Sequence, residues 1–215
     1  MKLSPRLAMT AQLVPPGLAV ADIGTDHAYL PVYLVQQGIS PRAIGSDIGE
    51  GPLRNAAETI GRAGLQGEIE LRLSDGFARF QAGDAGCWVM AGMGGTLMAR
   101  MLQAAPWLRA PGTAIVAQPM RHAHDLREWL ISHGFRIERE SACRDAGRAY
   151  CALRAVYDGA ARAYPAGYIY YGELLRFDAD CAREILSRER KLLRIRMEHD
   201  ESLKEAYDDF CAQCL

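Results

Sequence analysis

From about residue 18 to residue 157, short apolar or β-branched runs alternate with segments of helical period, and this alternation constrains the fold more than any single motif. The spacing predicts strands over 18–23, 42–47, 69–73, 87–90 and 113–117. Helices are predicted over 29–37, from Pro52 to Gly61 or Gly64, over 97–103 and over 123–133. Pro31 is tolerated in a first turn, Gly38 closes one helix, and Gly134 stops another whose Leu126, Trp129 and Leu130 recur at helical spacing. The pattern then changes: residues 135–142, a turn at Asp145-Ala146-Gly147, and residues 148–157 form two strands with no helix between them. Strands joined through helices pair in parallel, whereas a direct strand–turn–strand connection pairs antiparallel.

Five strands with four helices between and after them, followed by a hairpin, describe an α/β fold, a seven-stranded, doubly wound, Rossmann-like sheet with one reversed strand. This is the order of the class I methyltransferase sheet. The chain has 215 residues, enough for one such core and a small appendage. After Asp158, the run Gly159-Ala160-Ala161-Arg162-Ala163 reads as a linker. From Tyr170 onward apolar residues recur near helical period. The expected division is a catalytic domain over 1–158, with an N-terminal helix, and a C-terminal helical, coiled-coil-like domain over 164–215.

An apolar fraction of 49% and a charged fraction of 24% argue against disorder. A net charge of −1 gives no global basic signature, so any nucleic-acid contact has to come from a local patch. Nearly all basic residues are arginine, which fits composition bias and also bidentate phosphate recognition. In the tail, Arg183, Arg188, Arg190, Lys191, Arg194 and Arg196 precede an acidic run from Glu198 to Asp209. Such segregation suits a solvated helical pair of complementary charge, or a basic arm resting on RNA phosphates. Neither a signal peptide nor a membrane span is expected, so the six cysteines read as reduced thiols and the location as cytoplasmic. The terminal Cys211-x-x-Cys214 reads as chance.

The first strand ends in Asp22-Ile23-Gly24, and the following turn places Asp26 and His27 where a dinucleotide fingerprint needs glycine. A cofactor without phosphates fits better. S-adenosylmethionine is one: its ammonium could meet Asp22 or Asp26, and its ribose needs a carboxylate. Asp47 ends the second strand 23 positions after Gly24, close to the spacing at which an acidic residue reaches ribose hydroxyls. Asp75-Gly76 follows the third strand, on the side of the adenine. Acidic residues at three successive strand ends lie along the edge where open α/β sheets bind ligands. The glycines of Gly92-Met93-Gly94-Gly95 either admit a flat base or make a helix-entry turn, and Gln118-Pro119 faces the same edge. His122, His124 and His133 are assigned to a helix as surface or packing residues. His122 and His124, two apart, are not expected to share a face or form a metal site.

Together, Leu3-Ser4-Pro5-Arg6-Leu7, ADIGTDHAYLP (21–31), AGMGG (91–95), Gln118-Pro119 and Arg127-Glu128-Trp129-Leu130 resemble the bacterial tRNA (adenine-22-N1)-methyltransferase family, TrmK. The likeness extends to about residue 158; the tail matches only in character. It implies S-adenosylmethionine as cofactor, tRNA as partner and adenine N1 as methyl acceptor. Asp22, Gly24, His27, Asp47 and Ile48 would bind the cofactor, together with Asp75, Gly76, Ala91 and Gly92. Asp26, Tyr29 and Arg6 would lie nearer the target base as the catalytic set. Some family members carry Glu where this chain has Asp47, which gives a shorter reach here. A monomer with neither metal nor membrane association is expected. The rivals to the family reading are a class I methyltransferase of small molecules or proteins and a non-catalytic RNA-binding protein that keeps the fold. A nicotinamide-dependent oxidoreductase is disfavoured by the missing glycines.

Overall fold

A computed structural model describes residues 1–177 and 179–213. Seven strands form one sheet: β1 Val20–Ile23, β2 Ala43–Asp47, β3 Ile69–Leu73, β4 Cys87–Met93, β5 Ala114–Pro119, β6 Phe135–Asp145 and β7 Arg148–Tyr157. Their order is β3-β2-β1-β4-β5-β7-β6, and only β7 runs against its neighbours. The crossovers use α2 Tyr29–Gln36, α3 Glu50–Ala63, α4 Gly95–Gln103 and α5 Ala123–Ser132.

The pleat divides each central strand between two cores. Trp88 and Met90 of β4, with Ile115 and Ala117 of β5, face Met98 and Leu102 of α4 and Leu126 and Leu130 of α5. Their alternates Cys87, Val89, Ala114 and Val116 pack with Leu30 and Leu34 of α2 and Leu13 of the N-terminal helix α1, Pro5–Leu13. Strands covered on both faces read as continuous apolar runs, which is why these segments show no polar alternation. Helix α1 starts cleanly because Ser4 caps it, its Oγ accepting from the Leu7 N–H at 3.4 Å, and Pro5 occupies the first turn.

Several boundaries differ from the sequence expectation. The first strand starts at Val20 rather than residue 18, and α3 starts at Glu50 with Gly49 as its cap, so Pro52 sits inside the first turn. The fourth and fifth strands run on to Met93 and Pro119, because backbone pairing between them continues past a bulge at Ala91/Met93. Residues read as turns therefore form the rim of the sheet.

Beyond β7 come a short helix α6 Tyr168–Tyr171, a long helix α7 Asp180–Met197 and α8 Lys204–Gln213. Ala182 and Ile185 of α7 pack on Ala142, Ala149 and Cys151 of the hairpin. Tyr171 stacks on Phe210 with ring centres 5.6 Å apart. Arg127 of α5 and Glu140 of β6 form a buried ion pair at 2.8 Å, and Arg127 also donates to the Ile169 carbonyl at 3.0 Å. Glu140 accepts from the Glu173 N–H at 2.9 Å. Gly172 adopts φ +54°, and a Cβ there would lie 2.4 Å from Glu140 Oε2. The tail thus closes over a desolvated charge pair whose spare hydrogen-bonding capacity it satisfies. Among the described residues, no helix is long and apolar enough to cross a membrane. Cys214 lies outside the described residues.

Candidate active site

The carboxyl ends of β1, β2 and β4 open onto a cavity of about 570 Å³, a size suited to a nucleoside-bearing ligand. Arg6, Asp22, Gly24, Asp26, His27 and Tyr29 line it, together with Asp47, Ala91 and Gly92. Of the residues expected at the site, Ile48, Asp75 and Gly76 are not among its lining residues. Ile48 follows Asp47 and is 70% exposed. Asp75 and Gly76 continue the same edge, where the Ser74 N–H donates to the Asp47 carbonyl at 2.9 Å.

The turn after β1 is shaped by its backbone. Gly24 has φ +79°, a conformation that favours glycine, and a Cβ on it would have to displace the flexible end of the Met93 side chain. The N–H groups of Gly24 and Thr25 both donate to the Ser46 carbonyl at 2.8 Å. Asp26 and Ala28 adopt left-handed φ of 50° and 55°, a conformation that costs a non-glycine residue about 1 kcal/mol and concentrates at functional sites. This geometry turns Asp26 outward and brings His27 onto Tyr29 as a stacked pair, centroids 5.1 Å apart. Asp47 holds two turns at once, its Oδ2 accepting from the Asp26 N–H at 3.4 Å and its Oδ1 from the Gly49 N–H at 3.0 Å.

Asp22 is the buried charge of the site, 5% exposed. Burial pushes its pKa up to about 6; the Thr25 hydroxyl, donating at 2.7 Å, works against the rise, and the nearby Asp47 charge adds to it. A buried carboxylate with a hydroxyl partner and, among the described residues, no cation beside it has unused capacity for a cationic ligand. That suits the ammonium of S-adenosylmethionine, and the cavity suits the rest of the molecule.

Sequence reasoning placed Gln118 on the ligand-bearing edge but passed over its role there. It is fully buried, and its Oε1 accepts from Arg6 Nη1 at 2.7 Å and from the Gly92 N–H at 3.2 Å. It therefore fixes Arg6 over the Gly92 turn, whose φ is +84°. The sequence signals were its position at the end of a strand and its place among the motifs of the resemblance. Thr25 was likewise passed over, although a hydroxyl three residues after an acidic strand end is a local hydrogen-bonding pattern.

The expectation for His122 and His124 is corrected. His122 is the cap of α5, not part of the helix, and its left-handed φ of 56° brings its ring onto that of His124 at 5.8 Å. Ligand atoms of His122, His124 and Asp125 lie within 4.8 Å of one another. Arg196 Nη1 stands 3.0 Å from His124 Nε2, so a cation already faces that cluster.

Residues 3–153 match a family model described as a methyltransferase domain. A tRNA (adenine(22)-N(1))-methyltransferase of Bacillus subtilis (strain 168) is 36% identical over 166 residues, spanning 74% of this chain and 70% of the relative. The chain belongs to the tRNA (adenine(22)-N(1))-methyltransferase family. Solved TrmK-family structures share its fold over nearly the whole length. The Streptococcus pneumoniae protein Sp1610, in complex with S-adenosyl-L-methionine, is 30% identical with a TM-score of 0.84, covering 98% of each chain. The Bacillus subtilis M1A22 tRNA methyltransferase TrmK is 28% identical with a TM-score of 0.80, covering 99% of this chain and 96% of that one.

Proposed function

We propose that this chain transfers the methyl group of S-adenosylmethionine to N1 of adenine 22 in bacterial tRNA. The observation that carries the reading is the convergence of Arg6, Asp22, Asp26 and Asp47 on one cavity, in a member of this methyltransferase family.

In this reading Asp22 receives the cofactor ammonium and Asp47 the ribose hydroxyls. Ile48, Asp75 and Gly76 accept the adenine end along the same edge, where adenine would cover the exposed Ile48 side chain. His27, Gly24, Ala91 and Gly92 shape the wall around the methionine end. The cofactor, when bound, supplies a methyl group already activated on a sulfonium. Neutral adenine N1 carries a lone pair, so the protein has mainly to position the two reactants in line. Tyr29, 43% exposed and backed by His27, offers a stacking face to the target base. Arg6, fixed by Gln118, holds the base or its phosphate at the Gly92 turn. Methylation leaves the base cationic until its exocyclic amine loses a proton; the exposed Asp26 carboxylate offsets that charge or accepts the proton. Because N1 lies on the pairing edge, the adenine must be unpaired or extruded first.

We assign residues 1–158 to a catalytic domain and 164–215 to a helical domain whose arginines contact tRNA phosphates. The proposal extends to a cytoplasmic monomer that uses no metal in the reaction, since transfer from a sulfonium asks for positioning rather than a Lewis acid. Nucleoside mass spectrometry of an unmodified tRNA transcript, after incubation with protein and cofactor, tests the reading. 1-methyladenosine at position 22 is the expected product; methylation of another atom, or of no tRNA, would overturn it.

A further inference from the structure

We propose that the groove between the start of α5 and the long helix α7 is a second nucleotide-binding site, which stacks a base of the substrate RNA on His122 and seats its phosphate on arginine. The inference rests on the tRNA reading above and extends it to a place distinct from the cofactor cavity.

The groove has a volume of about 620 Å³. Residues 120–125 form one wall, and Arg188, Leu192 and Arg196 of α7 form the other. Three rings build a ladder into it: Tyr170 stacks on His124 at 5.2 Å, and His124 on His122 at 5.8 Å. His122 ends the ladder with its side chain 57% exposed, presenting a ring face at the height where another ring would continue the stack. Bases stack on such platforms whatever their sequence, because every base has a π-face.

The charges suit a phosphodiester. Arg121, Arg188 and Arg196 are exposed, whereas of the two acidic groups Glu189 is buried and Asp125 is partly exposed, 3.1 Å from His124 Nε2. Asp125 accepts from the Thr96 hydroxyl, and Glu189, 10% exposed, lies 3.6 Å from His124 Nδ1. The Arg196 guanidinium beside His124 makes the same cluster a poor metal site, and with Arg121 and Arg188 it leaves three arginines against two carboxylates along the groove. Apolar Leu192 and Met120, 48% and 38% exposed, add surface that a base or sugar would cover.

The groove is also laced to the loop of the cofactor cavity. The Met120 N–H donates to the Met93 carbonyl at 2.8 Å, and the Gly95 N–H to the Arg121 carbonyl at 2.9 Å. A Cβ on Gly95 would stand 2.1 Å from the His122 carbonyl oxygen, so the loop approaches the ladder as closely as backbone allows. His122 keeps a left-handed conformation, the kind of strain retained where a side chain must be aimed. One RNA strand can therefore run from the cavity, where its adenine reacts, into the groove.

His122→Asn removes the ring while keeping a residue that tolerates the left-handed backbone. Binding of an unmodified tRNA transcript by fluorescence anisotropy should weaken about 5- to 100-fold, with S-adenosylmethionine affinity by calorimetry unchanged. Arg121→Ala, at an exposed position, should lower the slope of log affinity against log salt by about 0.7 to 0.9, the loss of one phosphate contact. Wild-type affinity in His122→Asn and a wild-type slope in Arg121→Ala, with the wild-type protein methylating the transcript, would overturn the groove and leave the function standing. A wild-type protein that neither binds nor methylates tRNA would overturn the function first and the groove with it.

Discussion

Asp22 allows a quantitative test of where the cofactor ammonium sits. Its carboxyl, lifted by burial from an ordinary value of 3.8 to about 6, is protonated in a substantial fraction of molecules at mildly acid pH. That rise corresponds to about 3 kcal/mol by which the fold disfavours the ionised form. The sign follows for stability: the folded protein holds this proton more tightly than the unfolded chain. The ligand-free protein therefore loses that stability as pH rises from about 4 through 6, and carries the full cost above it. An ammonium at Asp22 reverses the preference, because it binds the carboxylate and not the acid. Cofactor binding should then expel a proton, about 0.9 per molecule at pH 5, 0.5 at pH 6 and 0.1 at pH 7. The apparent dissociation constant should weaken about tenfold between pH 7 and pH 5, a window below the titration of an α-amino group near 8. Calorimetry in buffers of different ionisation enthalpy counts the protons directly. Asp22→Asn should bind more weakly and lose the pH dependence. A constant affinity with no proton release across this range would refute the assignment of the ammonium to Asp22, and with it the argument from burial.

Asp26→Ala should lower the methylation rate about 100-fold or more while calorimetry still detects cofactor binding; equal loss of both would move Asp26 into the cofactor site. Arg127→Leu leaves Glu140 buried without its partner and should lower unfolding free energy by about 3 to 5 kcal/mol in urea titrations. Replacing both Arg127 and Glu140 with leucine should recover much of that loss, and a harmless single mutant would show that the pair contributes nothing. Gly95→Ala forces a methyl against the His122 carbonyl and should cost about 1 to 3 kcal/mol, read as a melting temperature lower by roughly 2 to 12 °C. An unchanged melting temperature would mean that the loop has room the structure does not show.

The order of strands and helices was legible because it is written in local periodicity: covered strands such as Cys87–Met93 and Ala114–Pro119 are continuous apolar runs, and glycine and proline mark most of the ends. The hairpin was legible for the same reason, since a turn with no room for a crossover permits only antiparallel pairing. The acidic strand ends were visible as well, because a doubly wound sheet always presents those ends to one edge. Where each strand stops was not, since Met93 and Pro119 remain in the sheet only through each other.

By itself, then, the sequence determined the class of fold, the ligand-bearing edge and the acidic residues along it. Only the tertiary structure decided that Gln118 clamps an arginine 112 positions earlier in the chain, that the tail closes over Arg127 and Glu140, and that burial lifts Asp22. It also decided that two histidines kept apart by helical spacing meet through one left-handed backbone angle. The physical reason is common to all four. Periodicity and turn chemistry are set by neighbours in sequence, whereas burial, hydrogen-bond partners and ring contacts depend on segments that meet only once the sheet has formed.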